Sequence, residues 1–293
     1  MNAKSEQQKL SLSNIWVLAE SNGPVRQEEM NICKAFMQIC REDNNKDKLR
    51  AFFAENRGKP VLFEMKTERK DFRKFLFSGG ETMSIQEGSF GDSGLGYSIW
   101  DAGLALSIWI QMNGDKFAGR DVLELGSGVG VTGICMAKSS ANQVVLSDFG
   151  NVEDEGEDEG ERNSVVERNL QPRNLLENLL TNVELNGLEE KCQVTRLDWH
   201  ACLADSFRPV KEFQCVIGSD VIYYEEDAEA LTAAIVKHLR AGGTFFLMNR
   251  RGRPGLSAVL ENLERMGKVE VTELSLFNNF DSTPLLFATF TKG

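Results

Sequence analysis

Residues that hold metals or disulfides are scarce in this sequence. Its six cysteines stand at positions 33, 40, 135, 192, 202 and 215, and no two of them form a Cys-x-x-Cys pair. A disulfide framework or a zinc site is therefore not expected, and the expected location is the cytoplasm and also the nucleus. Only two histidines, His200 and His238, are present, which argues against serine–histidine hydrolases and histidine-rich metal centres.

Long apolar runs are missing as well. No stretch approaches the roughly 20 apolar residues that span a bilayer, and the segment MNAKSEQQKLSLSN lacks the apolar core of a secretory signal. We therefore expect no membrane segment. The chain of 293 residues, 41% of them hydrophobic, is long enough for one large domain with extensions or for two small domains.

Positive charge is outweighed by negative charge. The formal net charge is -11, and seven carboxylates lie in one run, EDEGEDEGE, from Glu153 to Glu161. This composition cannot form a core, so we predict an inserted, solvated loop at about 150–168. Because an acidic surface repels phosphates, nucleic acid is not the expected partner. The loop itself is either a docking element for a basic partner or a plain insertion.

From residue 121 onwards, short apolar strands alternate with helices. Strands are predicted at 121–125, 143–148, 192–198, 213–219 and 243–248, and helices at about 131–139, 172–186, 227–240 and 255–266. This alternation is typical of a parallel sheet with helices on both faces. Two last strands, 268–276 and 285–291, are joined without room for a crossover helix and should be antiparallel. We predict an α/β fold: a Rossmann-like, seven-stranded, mostly parallel sheet with an antiparallel C-terminal hairpin.

The first part of the chain shows a different pattern. Residues 28–57 carry apolar side chains mostly on one helical face. Residues 73–88 contain two short apolar runs around Gly79-Gly80 and predict a β-hairpin, and a helix is predicted from about Asp101 to Met112. We therefore predict an N-terminal, partly helical extension over residues 1–69 and a larger domain over residues 70–293.

The segment DVLELGSGVGVTG, residues 121–133, predicts a ligand site. An apolar strand meets three alternating glycines, Gly126, Gly128 and Gly130, at a sharp turn into a helix. Such turns also bind nicotinamide cofactors and phosphates, so the turn alone does not identify the ligand. Asp148 ends the next strand, where it could accept hydrogen bonds from a ribose or simply cap a turn.

Acidic residues at neighbouring strand ends narrow the choice of ligand. Glu124 suits the ammonium group of S-adenosylmethionine (SAM) better than the pyrophosphate of a dinucleotide, which needs N–H donors. Asp198 and Trp199 end the third strand, where an acceptor and an aromatic face could meet an adenine, although Trp199 alone would more simply be a packing residue. Open α/β sheets bind ligands at the carboxyl ends of their strands, and the set therefore favours SAM.

The fourth strand ends in IGSDVIYYEE, residues 217–226, in which Asp220 could also merely cap the following helix. Together the motifs resemble the seven-strand class I SAM-dependent methyltransferases, and more closely the protein-lysine methyltransferases that modify elongation factors and chaperones. The resemblance is carried by YSIWDAGLAL (97–106), VLELGSGVG (122–130), VVLSD (144–148), NLLENLLTNVELNG (174–187), LDW (197–199) and SDVIYYEE (219–226).

This resemblance implies which residues bind the cofactor. Trp100, the turn Gly126-Ser127-Gly128 and Ser219 would border it. Asp148 would hold its ribose, and Trp199 would flank its adenine. The insertion after Asp148 and the first 70 residues depart from the family, and both bear on the substrate rather than on the cofactor.

The resemblance also implies a catalytic pair. Asp220 and Tyr223 match the family's acidic-x-x-aromatic signature at the mouth through which the acceptor enters. A lysine amine, with a free pKa of about 10.4, must lose its proton there before it attacks a methyl group. Asp220 could accept a hydrogen bond from the amine or receive the proton through water, and Tyr223 could wall the channel.

The predicted function is therefore SAM-dependent methylation of a lysine on a protein substrate. A substrate with a basic surface would fit the acidic enzyme, and the enzyme is expected to be a monomer. Alternatives on the same fold are protein-histidine or small-molecule methylation and a non-catalytic interaction protein. A nicotinamide reductase would leave LDW and SDVIYYEE without a role. A nucleic-acid amino-methyltransferase would carry a Pro-Pro-aromatic step where this chain has DVIYY.

Overall fold

The computed structural model describes residues 12–20, 26–41, 46–88, 95–150, 175–278 and 281–293. The strands are β1 (Leu12–Glu20), β2 (Val61–Met65), β3 (Phe72–Phe77), β4 (Thr82–Gln86), β5 (Val122–Leu125), β6 (Val144–Asp148), β7 (Cys192–Arg196), β8 (Phe213–Ser219), β9 (Leu239–Arg250), β10 (Gly267–Asn278) and β11 (Asp281–Lys292). The helices are α1 (Arg26–Cys40), α2 (Lys46–Glu55), α3 (Asp101–Met112), α4 (Val131–Lys138), α5 (Leu175–Leu185), α6 (Ala228–His238) and α7 (Leu256–Glu264). The predicted acidic loop lies, from residue 151 onwards, outside the described residues.

Strands β5 to β11 have the predicted arrangement. Neighbouring strands are parallel along β7-β6-β5-β8-β9, and β11 and β10 continue the sheet with antiparallel pairing. The predicted Rossmann-like, mostly parallel sheet with an antiparallel C-terminal hairpin is thus confirmed. The carboxyl ends of β5, β6, β7 and β8 consequently meet at one edge, where ligands bind in such sheets.

Helices cover both faces of the sheet, as predicted. One core lies against α3, α4 and α5, and the opposite core lies against α6 and α7. Strand β5 contributes to both cores, because Val122 belongs to the first and Leu123 to the second. Successive strand side chains point to opposite faces, so the apolar run in β5 is what burial on both faces requires. None of the helices described is long and apolar enough to cross a membrane.

Residues 12–88 extend the same sheet, which the sequence analysis did not predict. β1 pairs with β10, and β2, β3 and β4 follow outwards, each antiparallel to its neighbour. The predicted hairpin is β3 and β4, and the predicted helical stretch 28–57 contains α1 and α2. Trp16 and Val17 of β1 enter different cores, one beneath α3 and one beneath α1. The predicted boundary at residue 69 therefore falls between two paired strands of one sheet.

Three asparagines cover the edge of the sheet at β4. Asn178, Asn182 and Asn186 are four residues apart and so share one face of α5 and its end. Asn182 accepts the N–H of Gln86 at 2.7 Å and donates to its carbonyl at 2.9 Å. Asn186 makes the same two bonds with Ser84, at 3.0 and 2.6 Å. Side-chain amides thereby take the place of a further strand on an edge that would otherwise be open.

This asparagine ladder, Asn178, Asn182 and Asn186, also fixes the segment that precedes α3. Glu87, directly after β4, accepts the N–H of Ile99 at 2.7 Å, and Gly88 donates to the carbonyl of Tyr97 at 3.0 Å. The position of residues 97–99 therefore depends on the position of β4.

We expect Asn182→Ala to lower the free energy of unfolding by about 2–3 kcal/mol, because the N–H of Gln86 and the carbonyl of Val129 would lose this side chain as a partner. The carbonyl of Gln86 keeps a bond of 3.2 Å from Asn178. Urea titration of both proteins would measure the difference. Asn186→Ala is the matched control: its side chain makes the same pair of bonds but is only half-buried, so water can replace it and the loss should be smaller. Equal losses, or a loss below about 0.5 kcal/mol at Asn182, would contradict a role for the buried ladder.

Candidate active site

A cavity of about 530 Å³ opens at the carboxyl ends of the parallel strands, a volume typical of ligand pockets. Nine of the residues predicted from the sequence to form the site line this cavity: Trp100, Gly126, Ser127, Gly128, Asp148, Asp198, Trp199, Ser219 and Tyr223. The remaining three, Glu124, Gly130 and Asp220, lie behind its walls. No cluster of three or more metal-ligating side chains occurs in the part of the chain that the structure describes.

The turn after β5 forms the floor of the cavity. Gly126 and Gly128 have φ angles of 63° and 53°, a region that L side chains rarely adopt. A Cβ atom on Gly128 would lie 2.8 Å from the carbonyl oxygen of Gly96, and one on Gly126 would lie 2.9 Å from a methyl carbon of Val221. The turn therefore requires glycine at both positions, for conformation and for space.

Asp148 ties the end of β6 to this turn. One carboxylate oxygen accepts the N–H of Gly128 at 2.8 Å, and the other accepts the N–H of Phe149 at 2.8 Å. Burial raises the pKa of the Asp148 carboxyl. A carboxylate has about four acceptor positions, so these two bonds leave acceptor capacity on a side chain that lines the cavity.

Asp198 and Trp199 line the cavity next to a contact that the sequence analysis missed. The backbone N–H of His200 donates to Asp198 Oδ1 at 2.8 Å, and His200 Nε2 lies 3.1 Å from Asp227 Oδ1. His200 and Asp227 also line the cavity and join the segment after β7 to the segment after β8. They are 27 residues apart, and no local sequence pattern signals the contact.

Ser219 and Gly130 have structural partners of their own. Ser219 Oγ lies 3.1 Å from Thr132 Oγ1, which ties the end of β8 to the start of α4. Gly130, predicted to bind the cofactor, packs instead against Leu179 and Ile134 and precedes α4 with a φ of 87°. Its contribution in this structure is close packing between helices and sheet.

Glu124, predicted to contact the cofactor, is only 1% exposed and does not line the cavity. Its side chain lies against Gly133 in the first turn of α4. Burial raises the pKa of the Glu124 carboxyl to about 8, and Oε2 has no hydrogen-bond partner among the residues that the structure describes. The position two residues before Gly126 suggested proximity to the ligand, but the strand directs this side chain beneath the turn.

Asp220, predicted to be catalytic, is held in an ion pair. Its two carboxylate oxygens accept bonds from Arg253 Nε at 3.0 Å and Nη2 at 2.7 Å. The Asp220 side chain is 2% exposed, and its φ is 49°, an unusual value for a residue other than glycine. The carboxylate therefore faces Arg253 and not the cavity.

Arg253 in turn contacts both aromatic walls of the mouth. Its guanidinium lies 5.7 Å from the ring centroid of Trp100 and 5.1 Å from that of Tyr223, within the range of cation–π attraction. Burial, and after it the charge of Asp220, raises the pKa of the Tyr223 hydroxyl. Arg253 could not be predicted from local sequence, because it lies 33 residues beyond Asp220, in the segment between β9 and α7.

A family model described as lysine methyltransferase matches residues 79–175 and 170–266, which is more than half of the chain. The chain belongs to the lysine methyltransferase family. The resemblance drawn from its sequence motifs is thereby confirmed.

Characterised relatives support the same branch. Protein N-lysine methyltransferase METTL21A of Danio rerio is 29% identical over 163 residues, which are 55% of this chain and 62% of that protein. Protein-lysine N-methyltransferase EEF2KMT of Homo sapiens is 27% identical over 227 residues, 69% of this chain and 60% of that protein. Protein-lysine N-methyltransferase rrg1 of Schizosaccharomyces pombe is 28% identical over 181 residues, 58% and 52% respectively. The chain thus spans between half and two thirds of the length of these relatives.

Burial of Glu124 predicts a pH-dependent stability. The pKa of Glu124 is about 8 in the folded state, above its ordinary value of 4.5, so folding takes up a proton. The associated stability is present below pH 4.5 and is lost as pH rises through 8. We expect the stability of Glu124→Gln relative to the wild type to increase between pH 5 and pH 8, by on the order of 3 kcal/mol. Denaturant titrations at both pH values would measure it.

The control for this prediction is Glu264→Gln, which changes an exposed carboxylate of α7. Its stability relative to the wild type should not vary over the same pH range. A Glu124→Gln difference that is as flat as the control would contradict the assignment of a buried, protonated carboxyl.

Proposed function

We propose that this protein is a SAM-dependent methyltransferase that methylates a lysine side chain of a protein substrate. The observation that carries the proposal is the cavity at the carboxyl edge of the sheet, with a glycine turn as its floor and Trp100 and Tyr223 at its mouth. Membership of the lysine methyltransferase family supports the same reaction.

The residues of this cavity fit SAM. The turn at Gly126 and Gly128 lines the part of the cavity that the methionine end would occupy, and Asp148 retains acceptor positions for ribose hydroxyls. Trp199 offers an aromatic face for the adenine. When bound, SAM supplies a methyl group activated by a positive sulfur.

The task left to the protein is to admit and orient the acceptor amine. Trp100 and Tyr223 provide apolar walls, which disfavour the charged form of an amine relative to water. Tyr224 is 58% exposed beside this mouth, and Glu225 and Glu226 follow it on the surface. Exposed carboxylates attract cations at low ionic strength, which supports a substrate whose target lysine lies in a basic surface.

We propose further that the protein acts as a monomer, without a nucleic-acid partner, in the cytoplasm and also in the nucleus. The net charge of -11 supports the exclusion of nucleic acid. Size-exclusion chromatography with light scattering, and imaging of the tagged protein, test the remaining two statements.

The purified protein should bind SAM and not NAD in a calorimeter. Asp148→Asn should weaken SAM binding by about 1–3 kcal/mol, because a charged acceptor for the ribose is lost while one oxygen remains for Gly128. Asp121→Asn is the control, since Asp121 precedes β5 at the opposite edge and binds Lys211 and Asn142. Heat with NAD and none with SAM would refute the proposed cofactor.

The acceptor is identified by incubating the protein with tritiated SAM and a cell lysate, followed by mass spectrometry of the labelled chain. We expect label on a lysine. Label on a histidine or in a small molecule would replace the lysine assignment by one of the alternatives on this fold, and no label together with SAM binding would favour a non-catalytic protein.

The same assay tests the wall formed by Tyr223. Tyr223→Phe keeps the ring under Arg253 and should retain most of the activity, whereas Tyr223→Ala should lose at least about tenfold, or 1.4 kcal/mol of transition-state stabilisation. The SAM affinity of both variants should equal that of the wild type. Equal losses in the two variants would show that the hydroxyl, and not the ring, carries the effect.

A further inference from the structure

Directly behind the two aromatic walls of the mouth, Trp100 and Tyr223, lies a cation that belongs to the protein itself, Arg253. A carboxylate and two aromatic faces are the groups that bind an ammonium or a guanidinium. Here Asp220, Trp100 and Tyr223 surround Arg253, and both oxygens of Asp220 are engaged by its guanidinium. The carboxylate that the sequence motif suggested for the incoming amine is thus already engaged by a fixed positive charge.

Displacement of Arg253 by a substrate lysine is unfavourable in this geometry. A guanidinium binds a carboxylate through two parallel bonds, whereas an ammonium is a point charge that cannot reproduce them. Asp220 is 2% exposed, so loss of its partner would leave a buried, unpaired charge. Arg250 adds only a long backbone bond of 3.4 Å to the same carboxylate.

We propose that Arg253 is a positioning residue of the methyl-transfer mouth, held by Asp220, and that its positive charge selects an acceptor amine in the neutral form. The inference rests on the proposed function, since only a nucleophilic acceptor needs to be neutral. Asp220 then acts through Arg253: it fixes the guanidinium against the rings of Trp100 and Tyr223 and balances its charge.

The effect of the Arg253–Asp220 pair on the protonation of a bound amine follows from the signs of its two charges. A positive charge nearby lowers the affinity of an amine for its proton, and an uncompensated negative charge raises it. Removal of Arg253 adds negative charge at the mouth, and neutralisation of Asp220 adds positive charge. The two single substitutions therefore act in opposite directions on any amine bound there.

Other ionisable groups surround the mouth. On the cavity side they are Asp148, Asp198, His200, Tyr223, Tyr224 and Asp227. On the other side of the aromatic walls, Arg253 itself lines a surface groove together with Arg251, Glu261 and Glu264. These groups are common to all variants compared, so the difference between variants reports the charges of Arg253 and Asp220.

Two SAM analogues measure this difference without a protein substrate. S-adenosylhomocysteine lacks the methyl group and is neutral at the sulfur, whereas sinefungin carries an amine, protonated at pH 7, on a carbon in place of the methylated sulfur. The ratio of their dissociation constants, measured by calorimetry, reports how much the mouth favours or disfavours a cationic ligand relative to a neutral one. Contacts to the rest of the cofactor largely cancel in this ratio.

We expect Arg253→Met to favour sinefungin over S-adenosylhomocysteine, relative to the wild type, by on the order of fivefold. Asp220→Asn should shift the ratio in the opposite direction by a similar factor. Arg253→Lys, which keeps the charge, should restore the wild-type ratio to within about twofold. The double variant Arg253→Met, Asp220→Asn carries neither charge of the pair and should lie between the single variants. It keeps the test valid if Arg253→Met alone does not fold.

A second measurement uses the labelled protein as acceptor, with single-turnover rates at saturating enzyme and SAM. The acidic limb of the rate–pH profile should move to higher pH in Arg253→Met and to lower pH in Asp220→Asn, by about one unit each. A purely structural role would lower the rate in both variants without opposite shifts.

The outcomes separate the inference from the function on which it rests. A wild-type protein that binds neither analogue would refute both. Binding of both analogues with a ratio that is the same in all folded variants, or that moves in one direction in both single variants, would overturn the inference and leave the proposed function standing.

Discussion

The site depends on how closely the turn after β5 packs against its neighbours. Gly128 touches the backbone of residue 96, and Gly126 touches Val221 after β8. A single added methyl group at either place would force the segment before α3, or the end of β8, away from the floor of the cavity. Because interiors are close-packed, such a displacement could not be absorbed locally. The contact between these backbone segments brings the carboxyl ends of the strands and the aromatic mouth together.

Three sets of polar contacts stabilise that packing. Asp148 binds the N–H of Gly128 from the next strand, and Ser219 binds Thr132 across the start of α4. The asparagine ladder holds β4, whose continuation at Glu87 fixes the segment that Gly128 touches. Residues far from the cavity therefore determine its shape, and the N-terminal strands are part of the sheet that supports the site.

The sequence permits prediction where the determinants are local. The strand–turn–helix at 121–133 is a continuous pattern of apolar residues and glycines. Parallel strands bring Asp148 and Asp198 to one edge, because Asp148 ends β6 and Asp198 follows the end of β7 by two residues. Determinants distant in the chain were not predictable. β1 has the composition of a buried strand, but its pairing with β10 joins opposite ends of the chain. The bond between Ser84 and Asn186 spans 102 residues, and only folding brings these residues together. The position of Glu124 along its strand likewise does not reveal that its side chain is buried beneath the turn and does not line the cavity.

The pairing of Asp220 with Arg253 changes the meaning of the acidic-x-x-aromatic signature in this chain. Both oxygens of the carboxylate accept charge-assisted bonds from Arg253. An amine that meets this ion pair at the aromatic walls therefore finds no free carboxylate as a partner for its charged form. In the proposed reaction, deprotonation is favoured by the apolar walls and by the positive charge of Arg253, while the carboxylate maintains the geometry. Methyl transfer from a sulfonium needs a free lone pair on the acceptor and no further activation of the leaving group. A mouth that disfavours the ammonium form would therefore be sufficient for the proposed methylation.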